Sequence, residues 1–160
     1  MEKIVIRNLI KSFNTKDRRQ LVSIQEEIQR NGICRLAFPH INNSAFEALK
    51  REEYHLDKIL QRCETDLEVM DICSNILDGI KGINEKTIID FTLYYCNLHD
   101  IHIDDSCETL ITNQGRKALE ENRLTVKQIR QEIEKMAIRP FTNCELTFFI
   151  NNTISHNKKN

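Results

Sequence analysis

Helix-start signals recur along this chain and constrain its fold more than any other feature. A capping box has Ser or Thr before a helix and Glu or Gln three residues later, and the two side chains satisfy backbone N–H groups that the helix leaves free. The pattern occurs at residues 44–47, 65–68 and 125–128, each time near apolar residues at spacings of three and four. The sequence therefore predicts a mainly α protein.

The chain is also poor in the residues that make tight turns. Only four glycines and two prolines occur in 160 residues, which disfavours a many-stranded β architecture. The apolar spacing predicts about six or seven helices. Two precede Gly32 with a break near Asn14, a long one follows Ser44, and the others cover about 66–80, 84–98, 107–122 and 126–138.

The C-terminal part reads differently. Residues Cys144 to Ile150 alternate in polarity, which predicts a short extended or β segment, and residues 151–160 are polar, which predicts a disordered tail. The chain as a whole has the length of one ordinary domain, and 40% of its residues are apolar, which is also ordinary. We therefore expect a single compact helical domain over residues 1–150.

Charge and hydropathy indicate a compartment. Lys and Arg number 23 against 24 Asp and Glu, so no global field attracts nucleic acid or an acidic membrane. No apolar run approaches the roughly 18 residues of a spanning helix. We expect an intracellular, cytoplasmic protein without a membrane partner, with a nuclear location not excluded. Its six cysteines are then expected to be reduced and mostly buried.

No catalytic motif is recognisable. The sequence contains no phosphate-binding Walker loop, no Gly-rich dinucleotide pattern and no His-Glu-x-x-His. A cysteine nucleophile needs a histidine within reach and a third group that orients it, and no local signature of this kind occurs. The sequence predicts that the protein is not an enzyme and has no catalytic residues.

A cluster of Cys and His residues raises the question of a metal. Cys96, His99, His102 and Cys107 follow the pattern C-x2-H-x2-H-x4-C, and these residue types are the ligands of tetrahedral zinc. The spacing is not one of the established zinc signatures, and no C-x2-C pair occurs. Buried cysteines and surface histidines explain the same residues, so a small zinc-stabilised protein is an alternative, and no other cofactor is expected.

A second alternative is DNA binding. The segment 116–139 carries seven basic residues against four acidic ones. Residues 110–119 also resemble the junction that follows the wing of winged-helix proteins, which implies a DNA-binding regulator. In this hypothesis basic side chains contact phosphates or a major groove, and the candidates are Arg116, Lys117, Arg123, Lys127 and Arg130.

Protein binding is the class of function that remains. We expect a small regulatory or accessory protein that binds an unidentified protein, or a second copy of itself, through a helical face. Ile, Asn and Lys, which have AT-rich codons, are abundant, and this indicates a virus, a phage or an AT-rich bacterium as the source. Exposed aromatic patches commonly mark interfaces, so the candidate surface is the region of Tyr94 and Tyr95 or the first helix.

Overall fold

Helices make up most of the described chain. The computed structural model describes residues 3–136 and 140–157. Its α-helices are α1 (Lys3–Ser12), α2 (Arg18–Asn31), α3 (Asn43–Leu60), α4 (Asp66–Leu77), α5 (Glu85–Leu98), α6 (Asn113–Glu121), α7 (Val126–Met136) and α8 (Asn143–Phe148). A π-helical turn over Phe13–Asp17 joins α1 to α2 with helical backbone angles at both ends, so seven separate helices result in the described ranges. The predicted mainly α fold is confirmed.

The helix starts follow the capping signals closely. Thr65 caps α4, and Thr125 caps α7 in a full capping box, in which Gln128 accepts the Thr125 N–H at 2.9 Å. The first signal is displaced, because α3 begins two residues earlier than its capping box predicts. There the side chain of Asn42 accepts a hydrogen bond from the backbone N–H of Ala45 at 2.7 Å. Asn is as favourable at the N-cap position as Ser. Asn42 precedes Ser44, so the helix begins after Asn42.

The predicted extended segment at residues 144–150 is wrong. Thr142 and Glu145 form a full capping box with bonds of 3.1 and 3.0 Å, and α8 follows it. A π-helix over Phe149–Ile154 continues α8. Most side chains of this segment are buried, so it lacks the polar face that gives a surface helix its three- to four-residue period.

The helix also continues into the predicted polar tail. Asn151 and Ile154 are each 1% exposed. The Asn151 side chain accepts the backbone N–H of Thr112 at 3.0 Å and donates to the backbone carbonyl of Leu110 at 2.9 Å. The first residues of the predicted tail are therefore part of the packed structure. Residues 158–160 lie outside the described ranges.

The contacts within the chain fall into two units. The first combines the N-terminal residues up to Gln20 with the chain from Asp104 onward, and the second is Leu21–Ile103. The single domain predicted over residues 1–150 stays a prediction. Each unit has a core of its own.

In the first unit, a phenylalanine cluster forms the centre. The ring of Phe13 lies 5.1 Å from Phe141, 5.9 Å from Phe148 and 5.3 Å from Phe149, measured between centroids. Helix α1 packs against α7, and α6 packs against the final π-helix. The aromatic cluster therefore joins residues that are far apart in sequence.

A buried ion pair lies beside these rings. Arg18 is 3% exposed, and its guanidinium donates two hydrogen bonds to the Glu145 carboxylate, one of them at 2.8 Å from Nη2. The other Nη donates to Asn14 at 2.8 Å, Nη2 also reaches the carbonyl of Pro140 at 3.1 Å, and the guanidinium lies 4.5 Å from the centroid of Phe141. The bidentate pairing and the further hydrogen bonds offset the cost of removing the charges of Arg18 and Glu145 from water.

In the second unit, α5 is the central helix. Its residues from Thr87 to Cys96 are buried except Asp90, which is half-buried, and α5 packs against α4. The broad apolar face of residues 66–80 in the sequence predicts α4 as the central helix. In the structure, however, Leu67 at the start of α4 is 59% exposed. A helix that is apolar on all sides must be surrounded, and α5 meets that condition better than α4 does.

The buried ion pair gives a testable prediction. We expect Arg18→Met to lower the free energy of unfolding by about 3–5 kcal/mol, because the carboxylate of Glu145 is left buried without its counter-ion. Replacing both partners, as in Arg18→Met with Glu145→Leu, should recover much of the loss. Urea unfolding monitored by circular dichroism measures these differences.

The matched control is Arg30→Met, which removes an exposed ion pair with Glu27 on α2. Exposed pairs contribute about 0–1 kcal/mol, so this variant should be almost as stable as the original chain. Equal losses in the Arg18 and Arg30 variants would contradict the importance of the buried pair.

A second prediction concerns the end of the chain. Asn151→Ala leaves the Thr112 N–H and the Leu110 carbonyl without their partner, and each unsatisfied buried group costs about 1–3 kcal/mol. We therefore expect a clear loss of stability in thermal unfolding. His156→Ala, at an exposed position a few residues later, is the control. If both variants melt at the same temperature, Asn151 does not anchor the C-terminal segment.

Candidate interaction surface

The two tyrosines predicted to lie at an interface are buried. Tyr94 and Tyr95 are 3% and 2% exposed, so their prediction as surface residues is wrong. Tyr94 packs edge-on against Phe38, with centroids 6.0 Å apart, and Tyr95 stacks on Phe91 at 4.4 Å. Burial raises the pKa of both phenols above the ordinary value of 10.0. They are core residues of α5.

The first helix does present apolar side chains at its surface. Ile4 is 66% exposed and Val5 is 37% exposed, whereas Ile6 and Ile10 on the other side are buried. The exposed apolar patch on the described part of α1 consists of these two side chains. Helix α1 therefore offers an apolar patch without a feature that identifies its partner.

The proposed zinc ligands occupy different environments. Cys96 is buried within α5, and His102 is exposed. The His99 ring lies 2.8 Å from the Asp57 carboxylate, and the Cys107 thiol lies 3.6 Å from a backbone carbonyl. Within residues 3–136 and 140–157, no group of three or more His, Cys, Asp or Glu side chains is arranged to hold a metal ion. The zinc hypothesis gains no support from this part of the chain and stays a prediction.

Three of the cysteines have thiols with a raised pKa. All six are free thiols. Burial raises the pKa of Cys73 to about 12, and burial also raises the pKa of Cys63 and Cys107. The thiolate is the reactive form of cysteine, so the raised pKa makes these three side chains less reactive at neutral pH.

The basic segment 116–139 is only partly available to a ligand. Arg130 donates from one Nη to the carbonyl of Asp105 at 2.7 Å and to the side chain of Asn143 at 2.8 Å, so it stabilises its own unit. Arg139 lies outside the described residues. The four remaining candidates are exposed: Arg116, Lys117, Arg123 and Lys127. Acidic residues lie among them, including Glu120 and Glu121.

The likeness to winged-helix proteins is limited to the start of α6. Thr112 caps this helix, as the resemblance implies. The residues before it, Glu108–Leu110, form a 3-10 helix instead of the strand of a wing. The described residues therefore give the DNA-binding alternative no support beyond exposed charge.

The most distinctive surface lies on α3, where four residues spaced by four form one line, which we call the α3 row. It consists of Phe46, Lys50, Tyr54 and Lys58. Residues four apart lie on the same face of a helix. Tyr54 is 65% exposed, and the two lysines are exposed as well. The row therefore alternates aromatic rings with ammonium groups on one face.

Contacts between neighbours order the α3 row. The Lys58 ammonium lies 4.5 Å from the centroid of Tyr54, and the Lys50 ammonium lies 5.8 Å from that of Phe46. The guanidinium of Arg35 covers Phe46 at 5.1 Å. Cation–π contacts at exposed sites contribute about 0.5–1 kcal/mol, enough to favour one arrangement of a long side chain.

The position of the α3 row follows from the apolar pattern of the helix. The buried residues of α3 lie on its other side and are Ala45, Leu49, Leu56 and Leu60. The sequence pattern groups Phe46 with these core residues, but the structure leaves Phe46 half-buried. The alternation of aromatic and Lys at four-residue intervals is the signal that could have identified this surface.

Acidic residues of α3 line a cavity of about 370 Å³ within the second unit. Its lining includes Glu53, Asp57, Tyr95 and His99. Glu53 accepts the backbone N–H of Ile33 at 2.8 Å, and Asp57 pairs with His99 as described above. Burial raises the pKa of Glu53, against the opposing effect of the hydrogen bond from Ile33. Two of the four carboxylates of α3 are thus occupied within the unit.

Comparison of the chain with protein-family models, with curated proteins and with solved structures finds no match. None of the helices in the described ranges combines the length and the hydrophobicity that crossing a bilayer requires. Function must therefore be inferred from the geometry of the surfaces alone.

The raised pKa of Glu53 predicts a pH dependence of stability. Between its ordinary value of 4.5 and the raised value, the folded state holds the proton more tightly than the unfolded state. Ionisation of Glu53 therefore lowers the free energy of unfolding as pH rises through this window. Above the window, the charged form is less favourable in the folded state than in the unfolded state. We expect Glu53→Gln to gain stability relative to the original chain between about pH 4 and about pH 7.

Urea unfolding at both pH values measures this difference. Glu47→Gln, at an exposed position of the same helix, is the control and should show a smaller change. A difference between Glu53→Gln and the original chain that stays constant with pH would contradict the assignment.

Proposed function

We propose that this chain is a non-enzymatic protein-interaction module that binds its partner through the α3 row. The observation that carries the proposal is the exposure of Tyr54, which is 65% accessible in the middle of an ordered line of side chains. Tyrosine is enriched at interfaces because it provides apolar area, a hydroxyl group and little conformational entropy to lose.

The surroundings of Tyr54 support this role. A single exposed apolar residue is ordinary on a protein surface. Here the Lys58 ammonium is held over the tyrosine ring, 4.5 Å from its centroid. An ordered aromatic group with a charged neighbour loses less entropy on binding than a freely rotating side chain does.

The proposed module is a regulatory or accessory protein that acts inside the cell, and its abundance of Ile, Asn and Lys fits a viral or phage origin. Burial raises the pKa of the Cys63, Cys73 and Cys107 thiols, which makes these three side chains weaker nucleophiles at neutral pH. A second copy of the chain is one candidate partner. Light scattering of the purified protein tests self-association directly.

DNA binding through the segment 116–139 remains the alternative, because five of its basic side chains in the described residues are exposed. Retention on DNA or heparin that decreases with salt would favour it. Lys117→Glu combined with Lys127→Glu should then abolish retention. An absence of retention at low salt excludes this alternative.

Site-specific photo-crosslinking tests the proposed function. A photoreactive phenylalanine derivative in place of Tyr54 should give covalent adducts with a protein in a lysate of the natural host cells, because position 54 lies at the interface. The control places the same group at Asn75, an exposed position of α4 in the same unit. Adducts of equal yield at both positions, or none at position 54, would contradict the proposal.

A further inference from the structure

We infer that the α3 row binds an extended acidic peptide segment in which apolar side chains alternate with carboxylates. This inference rests on the proposed function and names the chemistry of the partner. The exposed ring of Tyr54 would contact an apolar side chain, and each lysine would pair with a carboxylate.

The spacing of the row matches an extended chain. Residues four apart in an α-helix are about 6 Å apart along its axis. In an extended chain, alternate side chains lie on one side and are about 6.7 Å apart. Successive residues of the α3 row also turn by about 40° around the helix axis, so an extended chain would follow the row obliquely across α3. Along the axis the two repeats differ by about 2 Å over the four positions, which the flexible lysine side chains can absorb.

The charges of this face fit a negative partner. Lys50, Lys58 and Arg51 are exposed here, against the carboxylates of Glu47 and of Asp57, whose side chain is 43% exposed beside His99. The acidic residues Glu53 and Asp57 accept hydrogen bonds within the unit. An ammonium group that is already held over an aromatic ring makes a charge-assisted hydrogen bond at a smaller entropic cost.

Two other kinds of partner fit less well. An amphipathic helix must bury an apolar stripe at least about 100° wide, and the α3 row supplies only two rings, one of them covered by Arg35. Nucleic acid is attracted by an extended positive field, and this chain has a formal net charge of -1. An extended acidic segment needs neither a wide apolar stripe nor a long-range field.

Fluorescence anisotropy with a synthetic peptide tests the inference. The probe is a fluorescein-labelled peptide of about twelve residues that repeats Leu-Ser-Glu-Ser, so that Leu and Glu alternate along one side. We expect binding that weakens with added salt, because the pairs are exposed. The same peptide with Gln in place of Glu should bind at least about tenfold more weakly.

Matched charge reversals locate the site. Lys50→Glu combined with Lys58→Glu should weaken binding of the peptide by about tenfold or more. Lys117→Glu combined with Lys127→Glu changes the net charge equally at exposed positions outside α3 and should leave binding almost unchanged. Tyr54→Ala should weaken binding severalfold, and circular dichroism checks that every variant is folded.

Three results would overturn the inference. The peptide does not bind, the two double variants weaken binding equally, or labelled oligothymidylate binds at the α3 row and the peptide does not. The crosslinking experiment at position 54 is independent of the peptide. A protein adduct there, together with no binding of the acidic peptide, leaves the interaction module intact and rejects only the acidic partner.

Discussion

The first unit depends on the pairing of Arg18 with Glu145, because these residues are separated by most of the chain and meet where water is excluded. The guanidinium also bonds Asn14 and the Pro140 carbonyl, so one side chain determines the arrangement of several backbone segments. Charged groups tolerate burial only when nearly all of their bonding capacity is used. That requirement makes the local arrangement specific, whereas the phenylalanine rings around it could pack in several ways.

Much of the fold could be predicted from the sequence because helix starts are local. Thr65 and Thr125 cap their helices through bonds to residues within one turn, and such bonds require no knowledge of the rest of the chain. A capping box also begins at Thr142, but the alternating polarity of the residues after it predicts an extended segment. Alternation misleads where a helix is buried on nearly all sides, because the environment then selects no polar face.

The candidate surface was harder to predict for a physical reason. Exposure depends on which helix occupies the centre, and sequence periodicity does not rank helices that are all apolar. Once α5 is central, its tyrosines Tyr94 and Tyr95 must be buried, and an aromatic residue of α3 remains at the surface. The sequence therefore predicts exposed tyrosines at Tyr94 and Tyr95, whereas the exposed tyrosine is Tyr54. Only the packing of the second unit identifies Tyr54 as the exposed one.

The π-helical turn between α1 and α2 has a consequence for how the chain tolerates change in length. Such a turn accommodates one more residue than an α-helical turn would. Deleting one residue from Phe13–Asp17 would therefore restore a regular helix and leave Arg18 facing nearly as it does now. A regular α-helix of the present length would instead turn Arg18 by about 100° relative to α1. Arg18 would then face away from its carboxylate while Ile6 and Ile10 kept their places. The irregular turn therefore absorbs one residue and keeps Arg18 directed at Glu145.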